Sequence, residues 1–299
     1  MYHGMINIYK EAGYTSHDVV AKLRGILGQK KIGHTGTLDP DATGVLPVCL
    51  GVGTKLCDML TDADKEYVAA LRFGITTDTQ DLSGNVLSER EVNITGEQAV
   101  KTAGSFLGTY EQIPPMYSAL KVNGRKLYEL ARAGKEVERK ARIVRIEELE
   151  ILQVEMPVLR MRVVCSKGTY IRTLCDDIGK KAGCGAVMET LRRTRVGRFH
   201  IDEAMTLSEV ETALAEGRLE SCIVPVEEMF SGLKRIKVRP DYGKQLENGN
   251  CLSLKMTEIR DGIGDGEQVR VYHAGGPFYG IYRYEERTET FYPVKMFMK

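Results

Sequence analysis

Gly33-His34-Thr35-Gly36-Thr37-Leu38-Asp39-Pro40-Asp41-Ala42-Thr43-Gly44 is the stretch from which the rest of the chain is best read. It lies between a helical pattern and the apolar run 45–50, and neither a helix nor a strand needs its composition. The glycines release the backbone from ordinary steric limits, and Pro40 fixes φ directly after Asp39. Asp39 is therefore a short acid on a stiff turn. It is either an Asx-type residue satisfying nearby amides or a carboxylate presented to a ligand. The residues alone leave both readings open.

Two competing chemistries fail on local context. Asp39-Pro40-Asp41-Ala42-Thr43 fits D-x-D-x-T, the aspartyl-nucleophile pattern of haloacid-dehalogenase-like phosphatases, which work with magnesium. In that fold the first Asp ends a buried hydrophobic strand, which the Gly-His-Thr-Gly-Thr before Asp39 cannot form. Gly51-Val52-Gly53-Thr54-Lys55 has the wrong order for a P-loop, and the chain has no G-x-G-x-x-G. No nucleotide cofactor and no metal are expected.

With 299 residues and 42% hydrophobic content the chain can bury a large core, and its length points to about two domains. Its net charge of +1 names no partner, so the distribution of charge has to be read instead. A leader peptide or membrane span is not expected, since the N-terminus lacks a basic flank and no apolar run is long enough. The 7 cysteines are odd in number and lack a C-x-x-C, which argues against a disulfide framework and a zinc site. A soluble cytoplasmic protein is expected, monomeric because no heptad or exposed apolar stripe stands out.

Outward from the loop, 6–9 reads as a strand, and Thr15 with Asp18 forms a capping box before Val19, Val20, Leu23, Ile26 and Leu27 at helical spacing. Residues 67–73 and 86–87 read as strands around a turn-rich segment, and 96–107 as a helix. Val158–Cys165 alternates, with Arg160 and Arg162 on one face, and a helix starts near Thr169 or Tyr170. Beyond about 231, short β-like runs at 252–254, 269–272 and 279–284 point to a small terminal β-domain.

Segment 121–145 differs in charge. Lys121, Arg125, Lys126, Arg132, Lys135, Arg139, Lys140, Arg142 and Arg145 face only Glu129, Glu136 and Glu138, an excess of nine minus three, or +6. Interleaved with Leu127, Tyr128 and Leu130, these cations suit a surface that grips phosphates while packing on one side. A second basic cluster, Arg192, Arg193, Arg195 and Arg198, follows later. Tyr67 has core packing as its ordinary role. Arg172 sits in the first turn of a helix, where the dipole disfavours a cation; its ordinary role is an i,i+4 pair with Asp176, and its position and charge equally suit a residue placed for a ligand anion.

The stretch from Gly33 to Gly51 resembles the signature of the TruB family of tRNA pseudouridine-55 synthases. Four further segments follow in the family's order: Lys65-Glu66-Tyr67, the run from Gln112 to Lys121, the run from Lys167 to Leu174, and Leu191-Arg192-Arg193-Thr194-Arg195. One departure is Tyr9-Lys10-Glu11-Ala12-Gly13, where the family commonly has Asp-Lys-Pro; Lys10 is kept. The resemblance covers about residues 4–200. It implies an α+β pseudouridine synthase fold, with a mixed central sheet flanked by helices and loops over 1–230 and a PUA-like RNA-binding domain over 231–299.

The resemblance also implies conversion of a T-loop uridine in tRNA to pseudouridine without cofactor. Asp39 is matched as nucleophile, Arg172 as its ionic partner lowering its pKa, and Tyr67 as the residue stacking on the base. Tyr170 and Leu191 are matched as pocket walls, and His34 as a prop for the space left by the flipped base. Lys10, with Lys121, Arg125, Lys126 and Arg132 of the basic segment, is expected to bind the tRNA arm.

Overall fold

The computed structural model describes residues 1–122, 124–259 and 262–298, and two β-sheets organise the chain. Buried β-formers make β1 (Gly4–Lys10), and the reciprocal Thr15–Asp18 capping box starts α1 (Ser16–Leu27). β2 (Ile32–His34) and β3 (Thr43–Leu50) flank the loop 35–42, and α2 (Cys57–Thr61) leads to β4 (Lys65–Phe73). The hairpin of β5 (Ile75–Thr77) and β6 (Val86–Glu89) is followed by α3 (Gly96–Gly104) and β7 (Gly108–Gln112).

The basic segment opens with a small hairpin, β8 (Lys121–Val122) and β9 (Arg125–Lys126), and the short helix α4 (Leu127–Arg132). Then come β10 (Arg142–Glu155), β11 (Val158–Cys165), α5 (Ile171–Ala182), β12 (Ala186–Val196), β13 (Phe199–His200) and α6 (Leu207–Ala215). A final group holds β14 (Lys234–Lys237), α7 (Gly243–Glu247), β15 (Leu252–Ser253), β16 (Gln268–Tyr272), β17 (Phe278–Glu285) and β18 (Thr290–Met296).

The first sheet runs β1-β3-β12-β4-β11-β10-β7, with β2 paired to β3 and β13 to β12. It is mixed. β12 lies antiparallel to β4 along its length and touches β3 in parallel only at Arg192↔Thr43 and Arg193↔Gly44. At Gly44, with φ +105, a Cβ would collide with the Arg193 carbonyl, so the close approach of the two strands requires glycine there. The second sheet, β14-β16-β17-β18-β15, has its own core around Val269, Val271, Tyr282 and Phe291. The α+β architecture with a mixed central sheet is the one the sequence leads to expect.

Burial explains how the loop is placed. One core packs Leu38 and Ala42 of the loop with Tyr67, Leu71, Ile171 and Leu174, anchoring the loop to β4 and α5. Another packs β1 and β3 against α1 and α6 through Ile6, Leu23, Leu46 and Val210. Each such fully buried aliphatic contributes roughly 1.5–3 kcal/mol. Two long strands went unread in the sequence: β10 mixes glutamates with aliphatics and carries two register shifts, and β12 is central yet holds three arginines.

Candidate active site

Asp39 and Arg172, 133 residues apart, form a two-pronged ion pair. Arg172 Nε lies 3.0 Å from Asp39 Oδ2 and Nη2 lies 3.2 Å from Oδ1. The remaining guanidinium hydrogens are also taken: Nη2 donates to the Tyr117 carbonyl at 2.8 Å, Nη1 to the Thr79 carbonyl at 3.1 Å, and Nη1 faces Asp81 Oδ2 at 3.6 Å. A guanidinium has five N–H groups in a fixed fork, so this set leaves Arg172 one orientation. The Arg172 side chain is 7% exposed and that of Asp39 39%, so the cation is enclosed while the acid faces out.

Arg172 thus takes the partner that the family resemblance implies, and one expectation, a lowered Asp39 pKa, is corrected. Arg172 does not pair with Asp176; Asp176 accepts from Lys180 at 2.6 Å and from Gln80 Nε2 at 2.8 Å, because Arg172 turns toward the loop. Nor is the Asp39 carboxyl held below its ordinary value. Burial pushes it up, Arg172 opposes that, and the Asp81 carboxylate adds to the rise.

The loop itself is held from beneath by two buried cations. Lys10, fully buried, spends its ammonium on the carbonyls of Glu11 at 3.0 Å, Tyr14 at 2.6 Å and Pro40 at 2.9 Å. Desolvation brings its pKa down to about 8, with Asp39 and Asp41 working against the fall. Lys10 thus lies under the loop and not on a surface open to a ligand. Arg193 donates Nε to the Val45 carbonyl at 2.7 Å, Nη2 to Gly36 at 3.3 Å and Nη1 to Thr37 at 3.5 Å. Its charge lies near the buried Tyr67 side chain, whose hydroxyl pKa is raised by burial above all, with Arg193 opposing the rise.

Tyr67 on β4 sits opposite Arg193 on β12, so the parallel contact of β12 with β3 brings tyrosine, arginine and acid loop together. Ser16, the first residue of α1, receives the Leu38 N–H at 2.9 Å and fixes the residue before Asp39. The local arrangement is a partly exposed carboxylate, oriented by one arginine, on a loop whose backbone is pinned on the inner side. It can act as a nucleophile or a base toward a ligand arriving from outside.

A model described as the TruB family pseudouridylate synthase N-terminal domain matches residues 24–171, and one described as the tRNA pseudouridylate synthase B C-terminal domain matches 172–231. A protein of Lachnoclostridium phytofermentans named tRNA pseudouridine synthase B is 50% identical, covering 99% of this chain and 100% of that one. One of the same name from Alkaliphilus oremlandii is 43% identical over 97% of this chain and 96% of its own. The chain belongs to the TruB family. Among solved structures, a Cbf5-Nop10-Gar1 complex gives a TM-score of 0.73 at 27% identity, covering 99% of this chain and 85% of that one. An H/ACA RNP bound to a substrate RNA containing 2'-deoxyuridine gives 0.72 at 25%, covering 99% and 86%.

The other residues matched to TruB signatures fall around this pair to different degrees. His34 ends β2, where its Nδ1 accepts the Gly36 N–H at 3.4 Å and its ring meets His17 edge-on at 5.5 Å. Burial and the neighbouring His17 lower its pKa, favouring the neutral ring. Tyr170 immediately precedes α5; its N–H donates to Gln112 Oε1 at 2.8 Å and its carbonyl accepts from Gln112 Nε2 at 3.0 Å. Its hydroxyl pKa is raised, chiefly by burial. Leu191 packs half-buried on the core that holds Leu38 and Tyr67.

In the basic segment Lys121, Arg125 and Arg132 are exposed and Lys126 is half-buried, while Leu127 and Leu130 are buried beneath them. Tyr128 is flanked by Lys126 at 5.3 Å and Arg132 at 5.5 Å from its ring centre. The segment's stem reaches the acid pair directly, through the Tyr117 carbonyl on Arg172. Sequence reasoning passed over Thr79, Gln80 and Asp81, and it left Gln112 and Arg193 without a defined part. Their contacts here are made mostly through backbone carbonyls or amides, which leave no motif. Among the described residues no group of three or more His, Cys, Asp or Glu is placed to hold a metal ion, and no helix is long and apolar enough to cross a membrane.

Proposed function

We propose that this TruB-family enzyme isomerises a uridine in the T-loop of tRNA to pseudouridine, with Asp39 as nucleophile. The target base flips out of the folded loop, at a cost of a few kcal/mol, and is brought to the partly exposed Asp39 carboxylate. A carboxylate oxygen of Asp39 bonds covalently to the nucleotide, the bond between C1′ and N1 breaks, and the freed base turns. A C1′–C5 bond then forms, C5 loses its proton, N1 gains one, and Asp39 is released unchanged. Arg172 keeps the carboxylate aimed and ionised despite its burial, Tyr67 faces the base, and Tyr170 and Leu191 wall the pocket. His34, with its neutral ring, props the space the base leaves.

The observation that carries this reading is the two-pronged Asp39–Arg172 pair, at 3.0 and 3.2 Å, in a chain of this family. The exposed cations of 121–145 support a tRNA arm held by its backbone and shape. The division at 230/231 and a PUA-like role for the second sheet are part of the same proposal, as are a monomeric state and a cytoplasmic site of action. The test is to incubate an unmodified tRNA transcript with the protein in EDTA and map pseudouridine by carbodiimide modification and primer extension. Product at the T-loop uridine is expected, and none from Asp39→Asn. An Asp39→Asn variant that still forms product would overturn the nucleophile assignment, and an inactive wild-type protein would overturn the reaction.

A further inference from the structure

The β5–β6 hairpin supplies two of the groups that hold Arg172, the Thr79 carbonyl and the Asp81 carboxylate, and the residue between them is Gln80. Gln80 has φ +64, one of only two non-glycine residues with positive φ among those described. A side-chain-bearing residue stays in that region only when its surroundings fix it there. Here they do so on every side. Gln80 Oε1 accepts from Thr173 Oγ1 at 2.8 Å, Nε2 donates to Asp176 Oδ2 at 2.8 Å, and the carbonyl accepts from Met188 N at 3.0 Å.

Thr173 and Asp176 belong to α5, the helix that carries Arg172. The helix therefore grips the hairpin at residue 80, and the hairpin grips the helix's arginine from residues 79 and 81. The loop is closed: one rigid element holds the strained residue, and that residue aims the two acceptors back at the same element. Releasing the amide of Gln80 frees the backbone to relax toward negative φ. That rotation moves the Thr79 carbonyl and the Asp81 carboxylate off the guanidinium, and Arg172 then meets Asp39 without its outer constraint.

We propose that Gln80 is a positioning residue for the isomerisation. It sets the angle at which Arg172 presents Asp39, acting through its left-handed backbone and its side-chain bonds to α5, and it makes no contact with the RNA. The proposal rests on the catalytic reading of Asp39 given above. It predicts that Gln80 governs the chemical step and leaves tRNA binding alone.

The test compares wild type, Gln80→Ala, Gln80→Gly and Asp39→Asn in single-turnover assays on unmodified tRNA, with tRNA affinity by filter binding and Tm measured alongside. Gln80→Ala loses both anchors yet keeps a Cβ that disfavours positive φ. Its rate is expected to fall about 10- to 100-fold at unchanged tRNA affinity. Gln80→Gly also loses the anchors but adopts positive φ at no steric cost, so its rate should lie between wild type and alanine, and it covers the case in which the alanine variant does not fold. In both variants the acidic limb of the rate–pH profile should move upward, because a looser Arg172 opposes protonation of Asp39 less well. Wild-type rates with an unmoved acidic limb overturn the proposal, as does a loss of rate that follows a loss of tRNA affinity. Product from Asp39→Asn sinks the underlying reading instead, so the two failures are separable.

Discussion

The loop 35–42 and the basic segment 121–145 both depend on cations, and they use them in opposite ways. Under the loop, Lys10 and Arg193 are buried and their protons go to backbone carbonyls: three for Lys10, and Val45, Gly36 and Thr37 for Arg193. A buried charge without such partners would cost several kcal/mol, so these cations are structural by necessity. In the segment, Lys121, Arg125 and Arg132 are exposed above a small apolar base of Leu127 and Leu130. Their charge stays in water, ready for a polyanion. One region spends its cations on holding a shape, and the other leaves them in solvent, where the proposed function has them meet the tRNA backbone.

The comparison can be broken at several points. Arg172→Lys should have the largest effect. A single ammonium cannot span both Asp39 oxygens together with the Tyr117 and Thr79 carbonyls, and the single-turnover rate should drop about 100-fold. A rate within tenfold of wild type would show that aiming Asp39 matters little. Next is Lys10→Met, which leaves three carbonyls without a donor and should cost about 3 kcal/mol in urea unfolding. Arg125→Ala in the segment should cost under about 0.5 kcal/mol. Equal losses would erase the distinction between the two uses of charge.

Reversing Lys121, Arg125 and Arg132 to Glu should weaken tRNA binding and flatten its salt dependence, by about one unit of slope for each phosphate no longer neutralised. Tm should not change, and unchanged affinity would remove the segment from the interface. The smallest effects concern pH. Because burial raises the Asp39 pKa, its carboxylate protonates earlier on acidification, and the rate should fall before pH reaches the ordinary aspartate value of 3.8. Lys10 is the mirror case. Its folded value, about 8, lies below 10.5, so between those pH values the unfolded chain binds the extra proton. The stability of wild type relative to Lys10→Met should accordingly rise with pH across that window. A flat difference would mean that Lys10 is not desolvated.

How much was legible in the sequence follows from the range of the forces involved. The α1 capping box, the alternation of β11 and the acid loop are local patterns, and each stands where its residues put it. Asp39, Tyr67 and Arg172 could be picked out because the family signatures name them, and the fold does bring the three into one region. The fasteners were not legible. Arg193 reaches the Val45 carbonyl across 148 residues, and Gln80 reaches Asp176 across 96. The first acceptor is a backbone carbonyl, which belongs to every residue type, and the second pair is joined only by tertiary packing, so no local composition marks either. The Asp39 pKa was misjudged for a related reason: the neighbouring Arg172 could be foreseen, whereas the burial that outweighs it arises only from tertiary packing.

The single parallel contact between β12 and β3 has a consequence for biosynthesis. The loop emerges from a ribosome early, but Arg192 and Arg193, which lie beside Thr43 and Gly44, are made about 150 residues later, and it is Arg193 that ties down Gly36 and Thr37. Closing so long a stretch of chain is slow compared with forming local hairpins and helices. A nascent chain that ends before β12 has the loop tied by Lys10 and Ser16 but lacks the Arg193 bonds to Gly36, Thr37 and Val45, so the loop gains its last fasteners in one late step. Stalled chains ending at residue 185 and at residue 235, probed for protease cleavage within 35–42, should differ sharply, with the loop protected only in the longer one.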